Sequence, residues 1–218
     1  MNIKKLIREE FNKYNKQLKH INEANVVGKT IVNVDIQEEY SSYIKSSMSL
    51  SDWVNFINDS AENNRIVFLF NGPELGYKDE NEYKHWLFEL GIEEDVLMHA
   101  IFYDKGYAFF RNCMDQEIDH DAIVALIQYM IENNINDSRD IDEEMWNDFT
   151  EQVDVDSDDL RSLENSDNMI TIPDLMDFLK NLSNIVLTGG GVEECLKEVE
   201  IALIALNKDY NILNEYTF

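Results

Sequence analysis

TIVNVDI, residues 30–36, is an apolar run interrupted only by Asn33 and Asp35, and Gln37 begins the polar sequence that follows it. Three runs of the same kind recur: RIVFLF at 65–70, AIFY at 100–103 and NIVL at 184–187. A fifth, YNIL, occupies 210–213. Continuous runs of β-branched and aromatic residues suit strands covered on both faces of a parallel sheet; a half-exposed strand would alternate. Helical patterns separate the runs, at 50–61 (capped by Ser49 or Ser51), 80–90, 121–133, 142–151, 173–182 and 192–206. This alternation predicts right-handed crossovers and an α/β three-layer sandwich with a mainly parallel sheet. The expected core is 30–114 together with 183–218. Some 75 residues part the third run from the fourth, far more than a crossover needs, so 115–182 is expected to be an acidic helical insertion or lid.

Upstream of the first strand, Ile3, Leu6, Ile7, Phe11, Tyr14, Leu18 and Ile21 recur at helical spacing with lysines between them. Residues 1–29 therefore read as an N-terminal amphipathic helix that packs on its own domain or joins a homo-oligomer. Trp53, Trp86 and Trp146 all fall within helical patterns and read as core contacts.

Charge narrows the function. The chain has 44 Asp and Glu against 18 Lys and Arg, a formal net charge of −26. Such acidity argues against direct nucleic-acid binding, which requires a concentrated positive surface. No apolar run approaches the length of a membrane span, and the first residues lack a signal peptide's apolar core, so a cytoplasmic protein without membrane contact is expected. The two cysteines, Cys113 and Cys195, make neither a disulfide framework nor a zinc ligand set. The acid is concentrated in 115–168, where 18 acids face only Arg139 and Arg161, whereas 1–29 carries seven Lys/Arg against three Glu. Within the acidic stretch, DVDSDDL at 154–160 lacks the central Gly of a calcium loop and its closing Glu, so no metal is expected there.

Ligands of open parallel sheets bind at the carboxyl ends of the strands. Those ends offer Asp35 and Gln37 after the first run, Asn71 and Gly72 after the second, and Asp104 and Lys105 after the third. After the fourth come Gly189, Gly190 and Gly191, with Cys195 in the next helix or its entry turn. A thiol at a helix N-terminus has its thiolate stabilised by unpaired N–H groups and the helix dipole. A nearby lysine adds to that stabilisation, and a carboxylate can take the thiol proton. Consecutive glycines let backbone N–H groups turn toward one point, as an oxyanion hole requires.

VNVDIQ (32–37), DKGYAFF (104–110) and GGGVEECLKEVEIAL (189–203) resemble the three motifs of the isochorismatase-like cysteine hydrolases, the fold of nicotinamidases and N-carbamoyl amidases. The resemblance implies a triad of Asp35 as base, Lys105 as charge stabiliser and Cys195 as nucleophile. It also implies an oxyanion site at the backbone of Gly190, Gly191 and Cys195, a cis peptide between Gly190 and Gly191, and a substrate pocket including Gln37, Asn71, Tyr107 and Phe109. The expected substrate is a small-molecule amide or carbamoyl compound, neutral or cationic given the acidic field. The Asp-x-His metal site of nicotinamidases has no counterpart among the four histidines, so neither metal nor cofactor is expected.

Two other readings stand beside this one. Asp35 and Asp104 at strand ends could hold Mg²⁺ in a PIN-like nuclease. The acidic block could instead make the chain a catalytically degenerate interaction protein that mimics nucleic acid and occupies a basic protein partner. The block predicts salt-sensitive binding to such a partner, abolished by charge reversal at Asp154, Asp156, Asp158 and Asp159 and measured by titration at rising salt. Binding indifferent to both changes would eliminate that role.

Overall fold

The computed structural model describes residues 27–106, 118–153, 157–164, 170–172 and 174–218. The N-terminal helix expected within 1–29 falls almost wholly outside these residues, as do Tyr107, Phe109 and Cys113.

Five strands form one sheet: β1 (Thr30–Val34), β2 (Arg65–Phe70), β3 (Ile101–Asp104), β4 (Ile185–Gly189) and β5 (Tyr210–Ile212). Every pairing is parallel and the order is β3-β2-β1-β4-β5. The chain first winds outward from β1 through β2 to β3, then returns to the other side of β1 for β4 and β5. Right-handed crossovers in opposite directions must place their helices on opposite faces of the sheet.

The two apolar clusters show this division. On one face, Ile31, Phe68 and Val186 pack with helices α1 (Ser41–Ser47), α2 (Leu50–Ala61), α3 (Glu80–Leu90) and α4 (Glu94–His99). Val32, Val34, Leu69 and Leu187, one step along the pleat, pack on the other face with α5 (His120–Glu132), α6 (Glu143–Gln152), α7 (Ser157–Glu164), α8 (Asp174–Lys180) and α9 (Cys195–Ala205). Both faces of the sheet are thus covered, which is why its strands read as continuous apolar runs rather than alternating ones. The described part of the acidic segment is helical as expected, and its helices pack into the core. Ile123, Leu126, Ile127 and Met130 of α5 are fully buried in the same cluster as the sheet, and Phe149 of α6 joins them.

Local chemistry sets the helix starts. The Ser49 hydroxyl accepts from the Asp52 N–H at the start of α2. Asp79 and Glu82 form a reciprocal capping box at the start of α3. Three short helices, α1, α4 and α7, were not legible as periodic patterns; at six to eight residues they span barely two turns. The last helical pattern begins later than expected, because residues 191–194 form a turn and Cys195 is the first helical residue.

One polar knot lies inside the sheet. Asn33, fully buried, donates through Nδ2 to the Val67 carbonyl (3.0 Å). Its Oδ1 accepts from Trp53 Nε1 (3.1 Å) and Thr188 Oγ1 (2.6 Å). A single side chain therefore ties β1 to β2, β4 and α2. Asn33→Ala leaves two buried donors unpaired at ~1–3 kcal/mol each, so it should lower unfolding stability in urea by more than Thr188→Val, which removes only one donor. Equal losses would show that the knot is not shared.

Candidate active site

Parallel strands whose connections reverse leave a crevice at the reversal, here between the carboxyl ends of β1 and β4. Asp35 follows β1 directly and is fully buried. Its φ of 47° is left-handed, a conformation open to Asp at a cost of about 1–3 kcal/mol. Lys105, one residue past β3, is also buried, and its Nζ lies 3.1 Å from Asp35 Oδ2. The contact is an ion pair lying off hydrogen-bonding geometry, so both carboxylate oxygens of Asp35 are buried without a hydrogen-bond donor among the described residues. Lys105 Nζ instead donates to Glu198 Oε2 at 3.4 Å. Glu198 sits one turn beyond Cys195 on α9 and is 7% exposed. One buried ammonium thus serves two buried carboxylates.

Burial by itself would lower the Lys105 pKa, but Asp35, then Glu198, override it and hold the ammonium well above its ordinary value. The thiol behaves contrary to the sequence expectation. Burial, and after it the Asp35 carboxylate, push Cys195 far above an ordinary thiol; Lys105 opposes this and Glu198 reinforces it. A helix terminus contributes about 0.3–1 kcal/mol, under one pKa unit, whereas burial moves a group by up to about 3–5 units. Desolvation wins, and the resting group is a neutral thiol rather than an activated thiolate.

The glycines are required by contact. A Cβ on Gly189 would lie 2.3 Å from the Val34 carbonyl oxygen, and one on Gly190 would lie 2.9 Å from the Leu196 nitrogen. Both residues also have left-handed φ, 74° and 66°. No cis peptide occurs among the described residues, so the bond between Gly190 and Gly191 is trans, against the expectation from the resemblance. The Gly191 carbonyl accepts from the N–H groups of Glu194 and Leu196, and Phe218 brackets the loop by donating to Gly190 and accepting from Val192. The N–H groups of Gly191 and Cys195 have no acceptor among the described residues. Unpaired N–H groups beside the thiol are the kind of donor that a ligand oxygen can use.

Cys195 borders a cavity of about 560 Å³, within the range of small-molecule sites. Its other walls include Tyr40, Tyr43, Val192, Phe218, Glu193 and Glu194. Gln37, expected with Asn71 to bind substrate, has its side-chain amide engaged by the Asn71 backbone. Gln37 Nε2 donates to the Asn71 carbonyl (3.0 Å), and the Asn71 N–H donates to Gln37 Oε1 (2.8 Å). This amide clamp locks the ends of β1 and β2, and Asn71 Nδ2 then reaches the Tyr40 hydroxyl in the cavity wall (3.3 Å).

The nuclease arrangement does not assemble. Asp35 and Asp104 are on strands separated by β2. Asp104 Oδ1 accepts from the N–H groups of Gly72 and Gly106, both at 3.1 Å. Among the described residues no group of three or more His, Cys, Asp or Glu side chains could hold a metal ion, and no helix is long and apolar enough to cross a membrane. Comparison with known proteins returned no matching family model, no matching curated protein and no matching solved structure.

Two sequence-predicted residues, Lys105 and Asp35, are brought into contact, and Cys195 feels the charge of both. Glu198 was missed. Its spacing of three from Cys195 puts it on the same face of α9 and was the available signal. Alkylation of Cys195 by iodoacetamide should therefore be slow near neutrality and still rising above about pH 10, where a free thiol has levelled off. Asp35→Asn removes a charge that raises the thiol and should move the profile to lower pH; Lys105→Ala removes the charge that lowers it and should move the profile the other way. Superimposable profiles would show that the three groups do not interact.

Proposed function

We propose that this chain is a cysteine hydrolase acting on the amide or carbamoyl group of a small molecule, with Cys195 as nucleophile and Asp35 as base. The observation that carries the reading is a fully buried carboxylate without a hydrogen-bond donor, beside a lysine and acting on a neutral thiol at the edge of a cavity. A neutral thiol needs a base at the moment of attack, and Asp35 is the group placed to accept its proton. Sulfur then bonds to the carbonyl carbon, and the carbonyl electron pair moves onto oxygen, held by the N–H groups of Gly191 and Cys195. Collapse of this adduct expels the amine, which leaves with the proton from Asp35. Water, deprotonated by the same carboxylate, cleaves the thioester and restores the thiol. Lys105 touches Asp35 throughout, and Glu198 acts as a positioning residue by holding Lys105. The motifs shared with isochorismatase-like hydrolases lend the same roles to Asp35, Lys105 and Cys195.

A second, separable role is supported by the acidic block. Asp142, Glu143, Glu144, Asp148 and Glu151 on and before α6, with Asp158 and Glu164 of α7, are exposed and lie in the stretch suited to a basic protein partner.

The test is turnover of an amide and carbamoyl panel by wild type and by Cys195→Ala, with intact-mass detection of an acyl adduct during turnover. Loss of the nucleophile should cost several orders of magnitude in kcat on any substrate found, and the adduct should map to the Cys195 peptide. A Cys195→Ala protein as active as wild type on every amide that wild type hydrolyses would falsify the mechanism.

A further inference from the structure

We propose that Phe218 is a positioning residue for the reaction at Cys195: its main chain fixes the Gly190–Gly191 peptide in the orientation that offers the Gly191 N–H to the developing oxyanion. This rests on the reading of Cys195 as nucleophile and of Gly191 as an oxyanion donor. The Phe218 N–H donates to the Gly190 carbonyl (3.1 Å), and the Phe218 carbonyl accepts from the Val192 N–H (3.0 Å). Phe218 thereby grips the two peptide units that flank Gly191. The second unit has further support, since its carbonyl, that of Gly191, accepts from the N–H groups of Glu194 and Leu196. The first unit carries the donor that matters. In a planar trans peptide the N–H points opposite to the carbonyl, so the bond that takes the Gly190 carbonyl also sets the direction of the Gly191 N–H. Glycine on both sides offers no Cβ to resist rotation of that unit, and Gly190 is already left-handed, at φ 66°. A half-turn of the unit would exchange donor for acceptor and set a carbonyl oxygen against the oxyanion.

The grip is anchored in the sheet and on its far face. Leu213, directly after β5, donates to the Leu187 carbonyl of β4 (3.0 Å). A single turn of 3-10 helix, Asn214–Tyr216, follows, and the buried Tyr216 ring stacks on Phe56 of α2 with 4.7 Å between centroids. Thr217 is buried, and its hydroxyl donates to the Asn214 carbonyl (3.0 Å). Leu213 and Tyr216 belong to the apolar cluster of α1 to α4, whereas Leu196 and Val199 of α9 belong to the cluster on the opposite face. Residues 213–218 are thus a strap from one face of the sheet to the glycine turn that delivers the thiol. Phe218 and Gly191 both border the Cys195 cavity.

An acylating and an alkylating reagent separate this role from a general loss of the thiol. With p-nitrophenyl acetate, sulfur bonds to the acetyl carbon through an oxyanion, p-nitrophenolate is expelled and Asp35 takes the thiol proton. With iodoacetamide, sulfur displaces iodide and no oxyanion forms. Peptide mass spectrometry of the full chain gives both rates at Cys195, and their ratio, acylation over alkylation, reads the oxyanion donors. Phe218→Pro and Phe218→Ala both remove the ring, but only the first removes the N–H, and the extended backbone of Thr217 (φ −111°, ψ 163°) suits a residue before proline. The ratio in Phe218→Pro should fall about tenfold or more below that in Phe218→Ala, toward the roughly 10²–10³ that loss of an oxyanion donor costs. Tyr216→Leu, which withdraws the stacked ring, should lower the ratio from its wild-type value by less, and it decides alone if Phe218→Pro does not fold. Equal ratios in the two Phe218 variants, or an unmoved ratio in Tyr216→Leu where that variant decides, overturn the positioning role and leave the nucleophile in place. A wild-type ratio no higher than that of free glutathione overturns the oxyanion site, and this inference with it.

Discussion

The Lys105 ammonium, enclosed between the carboxylates of Asp35 and Glu198, is the interaction on which the site depends. Each of these ions gives up its hydration on folding, at an effective penalty of several kcal/mol per ion, and the mutual contacts offset part of it. The lysine arrives from β3, the aspartate from β1 and the glutamate from α9, so the pair of contacts pins three elements that are remote in sequence. Removing Lys105 would leave the buried Asp35 carboxylate without its cation, the kind of loss that costs about 3–5 kcal/mol.

Topology supplies what the charges cannot. The reversal of winding at β1 leaves the carboxyl ends of β1 and β4 without a crossover passing over them. Into that gap the chain places Gly189 and Gly190, the two positions where backbone approaches so closely that no side chain fits. The turn they permit delivers Cys195 as the first residue of α9, and α9 is anchored by Leu196, Val199, Ala202 and Leu203, all fully buried. The clamp between Gln37 and Asn71 holds the neighbouring ends of β1 and β2 in register. Asp35 and Lys105 stand one residue past the ends of β1 and β3, and Cys195 opens a buried helix.

The parts of this arrangement that were legible in sequence share one property: their signal is local. TIVNVDI and RIVFLF announce strands covered on both faces because every position but the exposed Arg65 is apolar or buried. Asp35, Lys105 and Cys195 stood out because they occur at ends of such runs. Glu198 did not, since one glutamate in CLKEVEIAL among 44 acids reads as a solvated charge, and only the depth of α9 makes it buried. Gln37 misled for the opposite reason: a polar residue at a strand end looks available, yet its amide meets the backbone of Asn71 through a register no single segment encodes. The ionisation of Cys195 was misjudged on the same ground. Its helix terminus is written in the sequence; the burial that outweighs it is a tertiary quantity.

Burying ions at all is an uneconomical way to build a core, since well-packed apolar side chains would cost less to bury. The left-handed backbone at Asp35 adds strain to the same spot. In the proposed reaction the imbalance has a use. When Asp35 takes the thiol proton it ceases to compensate Lys105, and a lone buried ammonium would be driven to release its own proton. Glu198 remains as its partner, so the lysine stays a cation at the moment negative charge develops on sulfur and then on the carbonyl oxygen. The total charge of the centre is the same before and after the transfer, and no counter-ion has to enter or leave. In the proposed reaction the second carboxylate is the one that keeps Lys105 paired while the proton moves between buried groups.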